Sequence, residues 1–189
     1  MTGLPSTPYP ENPHPDIERV RVYWEERRPS PDQLPRRSDI HLMDLYDIAP
    51  HLLLADVIRD DDKGVRYFWR FGGTSLRIFF GFELTGTFID EVYTDEAAET
   101  IQSAYSWILD TSQPHYWVRR GGLVQPDQKH LVYERYICPV TGGGSQIDHL
   151  FGIIVYPERP VAVGAQTDLD RARQLEIGEE IEHPDSSQK

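Results

Sequence analysis

Residues 65–86, VRYFWRFGGTSLRIFFGFELTG, restrict the folding options of this chain more than any other segment. The run Tyr67-Phe68-Trp69-Arg70-Phe71 sets aromatics around a single charge, a pattern that suits a strand covered on both faces. At Gly72-Gly73 the chain turns without the penalty of a Cβ. Thr74 then stands where it can cap a short amphipathic helix through Leu76 and Phe79-Phe80, with Gly81 as its stop. Gly86 closes the segment. A strand that passes directly into short helices wrapped over its own sheet makes a cup. An aromatic lining suits such a cup to binding or sensing more than to catalysis.

Around this segment the chain punctuates itself clearly. Pro5, Pro8, Pro10, Pro13 and Pro15 make residues 1–15 an extended or disordered lead-in. From Asp16 the pattern is helical, with Ile17, Val20 and Trp24 on one face, until Pro29 and Pro31 end it. Strands follow at 52–59 and 65–71, joined by the turn Asp60-Asp61-Asp62-Lys63-Gly64 into a hairpin. A longer helix spans 95–109, acidic in its first turn and stopped by Pro114. Three more strands occupy 115–124, 130–138 and 148–156, with turns at Gln125-Pro126-Asp127 and Thr141-Gly142-Gly143-Gly144. Residues 16–157 thus form one domain. Residues 158–189 form an acidic, mostly flexible tail with room for a short helix near 168–175.

This order is α+β: a five-stranded antiparallel sheet with short helices inserted between strands two and three, plus an N-terminal helix. An open barrel with a helical cover, as in small cone-shaped enzymes, would place most helices before the strands. The PAS fold fits better. The residues also resemble a family of short bacterial proteins that consist of a single PAS domain. The resemblance rests on Leu34-Pro35-Arg36 with Ser38-Asp39-Ile40, and on Pro50-His51-Leu52 with Asp56. It continues through Arg70-Phe71 with Gly73-Thr74, Phe80-Gly81 and Leu84-Thr85-Gly86. It covers about residues 20–157 and is most specific across 65–86. It implies a sensory or regulatory role in signal transduction without an attached output domain, and it implies no catalytic residue.

Charge and composition exclude several classes. A net charge of -12 disfavours nucleic acid and anionic membranes as partners. The doublets Arg27-Arg28, Arg36-Arg37 and Arg119-Arg120 read as solvated edges. The single cysteine, Cys138, precludes an internal disulfide. The first residues lack the basic flank and apolar run of a signal peptide, and no segment nears the roughly 20 apolar residues that span a bilayer. The expectation is a cytoplasmic protein.

The aromatic stripe is the leading candidate site. Tyr67, Trp69 and Phe71 alternate along one strand; Tyr133 and Phe151 can meet them from neighbouring strands, with Phe80 and Trp107 closing the cup. Two readings fit: a ligand cavity, or a solid core filled by the same rings. Arg77, on the short helix beside the cup, is the expected contact for an anionic group. Arg70 alternates away and is expected to pair with an internal acid, with Asp56, Asp90 and Glu134 available. Histidines at 115, 130 and 149 open strands but show no metal-ligand spacing, so no metal site is assigned. No histidine lies on the inserted helices for a haem, and Cys138 is misplaced for a covalent flavin, so no cofactor is named. The glycine run at 142–144 lacks the lysine of a phosphate loop, and no Gly-x-Ser-x-Gly elbow occurs.

The apolar face of the N-terminal helix (Ile17, Val20, Trp24) needs cover from a sheet face, in its own subunit or a partner's. Leu52, Leu54, Ile153 and Val155 can line that face, and the apolar area left over predicts a homodimer built there. The functional expectation is a non-enzymatic regulator that binds a small metabolite in the cup, an unidentified protein partner, or both. The alternatives are a small open-barrel enzyme using an acid or His in the same cup, and an interaction module with a filled core.

Overall fold

The structure, a computed structural model, describes residues 6–93, 95–120 and 132–156, without the side chains of residues 95, 96 and 120. The expected turn at 125–127, His130, and the tail with its helix near 168–175 lie outside these residues. A five-stranded antiparallel sheet carries the fold, in the order β2-β1-β5-β4-β3. Its strands are β1 (Leu52–Asp60), β2 (Gly64–Gly72), β3 (His115–Arg120), β4 (Val132–Thr141) and β5 (Ile147–Val155). The helices are α1 (Pro15–Glu26), α2 (Thr74–Phe80), α3 (Ile89–Val92) and α4 (Asp95–Thr111). Three single 3-10 turns connect α1 to β1. The last three helices all fall between β2 and β3, as expected.

The β1–β2 hairpin closes where Asp60 accepts the backbone N–H groups of Asp62 and Lys63, both at 2.9 Å, before Gly64 turns with φ +74°. At the far end of β2 the chain enters α2 through Gly73, whose N–H donates to the Leu52 carbonyl at 2.9 Å. Gly73 rather than Thr74 occupies the cap position of α2, and no side chain caps it. The backbone is still extended at Gly73, and that position takes a glycine because a Cβ there would collide with the carbonyl groups of Ala49 and Pro50. Gly81 ends α2 in the left-handed conformation, φ +82°.

The residues that carry the family resemblance are junctions of this sheet. The Pro35 carbonyl accepts the Thr141 N–H at 2.9 Å, which ties the segment after α1 to the end of β4. Gly86 and Thr87 exchange backbone hydrogen bonds with Trp69, at 2.8 and 2.9 Å, and so fasten the chain after α2 along the free edge of β2.

Both faces of the sheet are buried. On the outer face α1 lays down Ile17, Val20, Tyr23 and Trp24 against Leu52, Leu54, Phe151, Ile153 and Val155. Trp24 donates its indole N–H to the Pro139 carbonyl at 2.8 Å. The seven residues expected to form a dimer interface, Ile17, Val20, Trp24, Leu52, Leu54, Ile153 and Val155, are therefore buried inside one chain. Among the described residues, these seven side chains leave no exposed surface through which a second copy could pack without displacing α1.

The Pro-rich lead-in is more ordered than expected from Ser6 onward. Thr7 donates its N–H to the Tyr116 carbonyl at 2.9 Å, and the Tyr116 N–H donates to the Ser6 hydroxyl at 2.9 Å. Tyr9 then packs edge-on against Tyr116 and Tyr136, each at 5.5 Å between ring centres. Proline forbids a strand here, but the unpaired edge of β3 offers hydrogen bonds that an extended segment can take.

Ion pairs brace α1. Arg21 grips Glu18 through Nε and Nη2 at 2.8 and 2.6 Å, while Arg19 pairs with Asp47 and Arg27 with Asp44. The Arg21 guanidinium holds the Glu18 carboxyl down to about 2, from an ordinary 4.5. Asp44 and Asp47 are lowered by their own arginines. Because these groups bind protons more weakly when folded, their contribution is complete above about pH 4.5 and fades as pH falls toward 2. We expect the urea midpoint to drop through that window and Arg21→Met to flatten the drop. Added salt weakens the effect, since the pairs are solvent-exposed.

Candidate functional site

The inner face of the sheet and the helices after β2 enclose the aromatic layer. Tyr67 and Trp69 rise from β2 and Tyr133 from β4, and α2 contributes Phe79 and Phe80. Tyr105 of α4 stands over them, edge-on to Tyr67 at 5.1 Å and to Trp69 at 6.3 Å between ring centres. Phe79 meets Tyr133 at 5.5 Å. Trp107 lies at the rim, half-buried, with its ring 5.5 Å from that of His115. Five of the expected lining residues, Tyr67, Trp69, Phe80, Trp107 and Tyr133, therefore do belong to this layer.

Three do not. Between Leu54 and Ala55 the β1–β2 register shifts, so that Ala55 faces Trp69 while Leu54 faces Phe71. Arg70 is the extra residue of a β-bulge, and the alternation that put Phe71 beside Trp69 breaks there. Phe71 packs on the outer layer instead. Phe151, opposite Leu54 on β5, is on the outer face too, 5.9 Å from Tyr23. Arg77 is exposed on α2 and does not line the interior.

The same bulge settles Arg70, which forms an ion pair with Asp56 on the outer face, as expected of an arginine turned away from the aromatic layer. The other oxygen of Asp56 meets His149 Nδ1 at 2.9 Å. Asp56 therefore bridges Arg70 and His149, one oxygen to each. Asp90 pairs with Arg66, at 2.8 and 3.0 Å from Nε and Nη2. Among the described residues no three His, Cys, Asp or Glu side chains converge as a metal site would require. Burial pushes the Cys138 thiol well up, which makes it a poor nucleophile.

One charge does stand inside the aromatic layer. Arg135 of β4, two residues beyond Tyr133 and therefore on the same face, is only 3% exposed. Its guanidinium lies 4.3 Å from the ring centre of Trp117, its partner across β3, and 5.2 Å from that of Tyr105. Its Nε and Nη2 are fully buried and have no hydrogen-bond partner among the described residues. The Tyr105 hydroxyl and the Trp69 indole N–H are likewise buried and unpartnered. Burial pushes the Tyr93, Tyr105 and Tyr133 hydroxyls up, against the pull of Arg135, so at neutral pH each remains a neutral donor. The layer thus holds donors for which the described residues supply no acceptor.

Arg135 is the residue that sequence reasoning overlooked. The signal was present: in Tyr133-Glu134-Arg135-Tyr136-Ile137 the charge falls in step with Tyr133 and Ile137, the positions that face inward.

A family model described as PAS domain matches residues 12–155, a span that begins just before α1 and ends with β5. No curated protein matches the chain. Among the described residues, no helix is long and apolar enough to cross a membrane.

Proposed function

The chain belongs to the PAS domain family, and on that premise we propose that it is a sensory or regulatory protein that binds a small molecule inside the aromatic layer. The output is a change in association with a protein partner, and no catalytic step is involved. One observation carries the reading: the interior holds buried donors at Arg135, Tyr105 and Trp69 without acceptors among the described residues. A core evolved only to be filled would lose stability by keeping them, because an unmet buried donor costs about 1–3 kcal/mol. A ligand with acceptor atoms removes that cost and binds the closed state more tightly, which is the differential affinity a switch requires.

Native mass spectrometry beside a denatured control tests this. We expect a mass excess on the folded protein that denaturation releases. A clean apo mass from protein purified directly out of its expression host, together with no thermal shift across a metabolite panel, would favour an interaction module with a filled core.

A further inference from the structure

We propose that the ligand of the aromatic layer is an organic carboxylate with an apolar body, and that Arg135 receives its carboxylate. This inference rests on the ligand-binding reading above and assigns the ligand its chemical class. The two unpartnered atoms of Arg135, Nε and Nη2, form one edge of the guanidinium. Elsewhere the chain shows what that edge takes. Arg66 holds Asp90 with the same two atoms at 2.8 and 3.0 Å, and Arg21 holds Glu18 with them at 2.8 and 2.6 Å. Both are two-pronged grips on a carboxylate. Arg135 presents the same edge with no acceptor among the described residues.

The charge cannot be shed, since arginine keeps its proton in proteins, and at 3% exposure it has little water to lean on. The rings of Trp117 and Tyr105 offset part of the desolvation, but they are weak substitutes for a counter-ion. Among the described residues no acid pairs with Arg135: Asp56 is engaged by Arg70, and Asp90 and Glu91 by Arg66. The neighbouring Tyr105 hydroxyl adds a neutral donor, and Trp69, Tyr67 and Tyr133 supply an apolar surround for the ligand's body. Because Nε and Nη2 are fully buried, an entering carboxylate must move a covering ring. Trp117 is the ring on the edge strand, and β3 is also the strand that holds Ser6 and Thr7. Displacement of Trp117 therefore connects the interior to the N-terminal segment.

The test uses the full chain with benzoate as probe and benzamide, its neutral counterpart of the same shape, at equal ionic strength. Benzoate is expected to raise the melting temperature and change tryptophan emission, while benzamide does neither. Arg135→Met should weaken the benzoate response at least tenfold, and without ligand it should melt at or above the wild-type temperature, because it removes an uncompensated buried charge. Equal responses to the two probes would overturn the carboxylate assignment, as would a benzoate response that survives Arg135→Met. A ligand-free Arg135→Met that melts about 10 °C lower would also overturn it, by showing that the arginine has a structural counter-ion within the chain. If native mass spectrometry finds a neutral molecule retained equally by wild type and Arg135→Met, the ligand-binding reading stands and this assignment alone falls.

Discussion

Trp24→Ala lowers the free energy of unfolding by about 3–5 kcal/mol, the range for emptying a large aromatic site. Trp24 is 1% exposed and packs with the rest of α1's apolar face on the outer face of the sheet. The substitution also deletes the hydrogen bond from its indole to the Pro139 carbonyl. Trp24→Phe keeps much of the volume and loses that hydrogen bond, so it should cost less than half as much. Urea titrations at two protein concentrations give the measurement and locate the helix. If α1 covers its own sheet, the midpoint of the wild type is independent of concentration. A midpoint that rises with concentration would mean that α1 is exchanged between copies. A loss under about 1 kcal/mol for Trp24→Ala would mean that the helix is not packed as described.

Gly73→Ala costs about 3 kcal/mol, at the upper end of what overpacking usually costs. The backbone angles of Gly73, φ -62° and ψ 156°, are open to alanine, so conformation is not the obstacle. The obstacle is that the added Cβ meets the carbonyls of Ala49 and Pro50, which are backbone and have no rotamer to yield. Relief requires the turn before β1 to part from the start of α2. That motion would loosen Leu76 and Phe80 in the roof of the aromatic layer, so the variant should lose ligand response along with stability. Two controls separate space from conformation. Gly64→Ala has room but sits at φ +74°, and should cost about 1–2 kcal/mol. Gly144→Ala has neither problem and should be neutral or slightly stabilising. Thermal melts that rank the three otherwise would refute this account of the junction.

The elements themselves were legible because their signals are local. Turn residues bounded β1, β2 and β5, an aromatic run marked β2, and helical spacing with acidic residues in the first turn marked α4. Glycines at 64, 81 and 86 stand where φ is positive, so their identity follows from backbone sterics at that one residue. The insertion of helices between β2 and β3 followed from the order of these signals and was enough to recognise the fold, although α3 was not placed by them.

What could not be read was which side of the sheet a side chain joins once alternation breaks. The bulge at Arg70 depends on the pairing of β2 with β1, which no window of β2 contains. It sends Phe71 outward and leaves Trp69 inside. Thr74 is a good cap by sequence, yet the helix starts at Thr74 itself, and residue 73 has to be glycine because two carbonyls from a turn more than 20 residues away leave no room for a Cβ.

By itself the sequence determined the α+β class, the element order, the aromatic character of the cup and the apolar face of α1, since each is set by neighbours within a turn or a strand. Only the tertiary structure decided that α1 covers its own sheet, that the bulge splits the aromatic stripe between two faces, and that the inward-facing Arg135 meets no counter-ion among the described residues. Those outcomes depend on which surfaces meet across the sheet, and the free energy of a buried charge is fixed by what surrounds it in space.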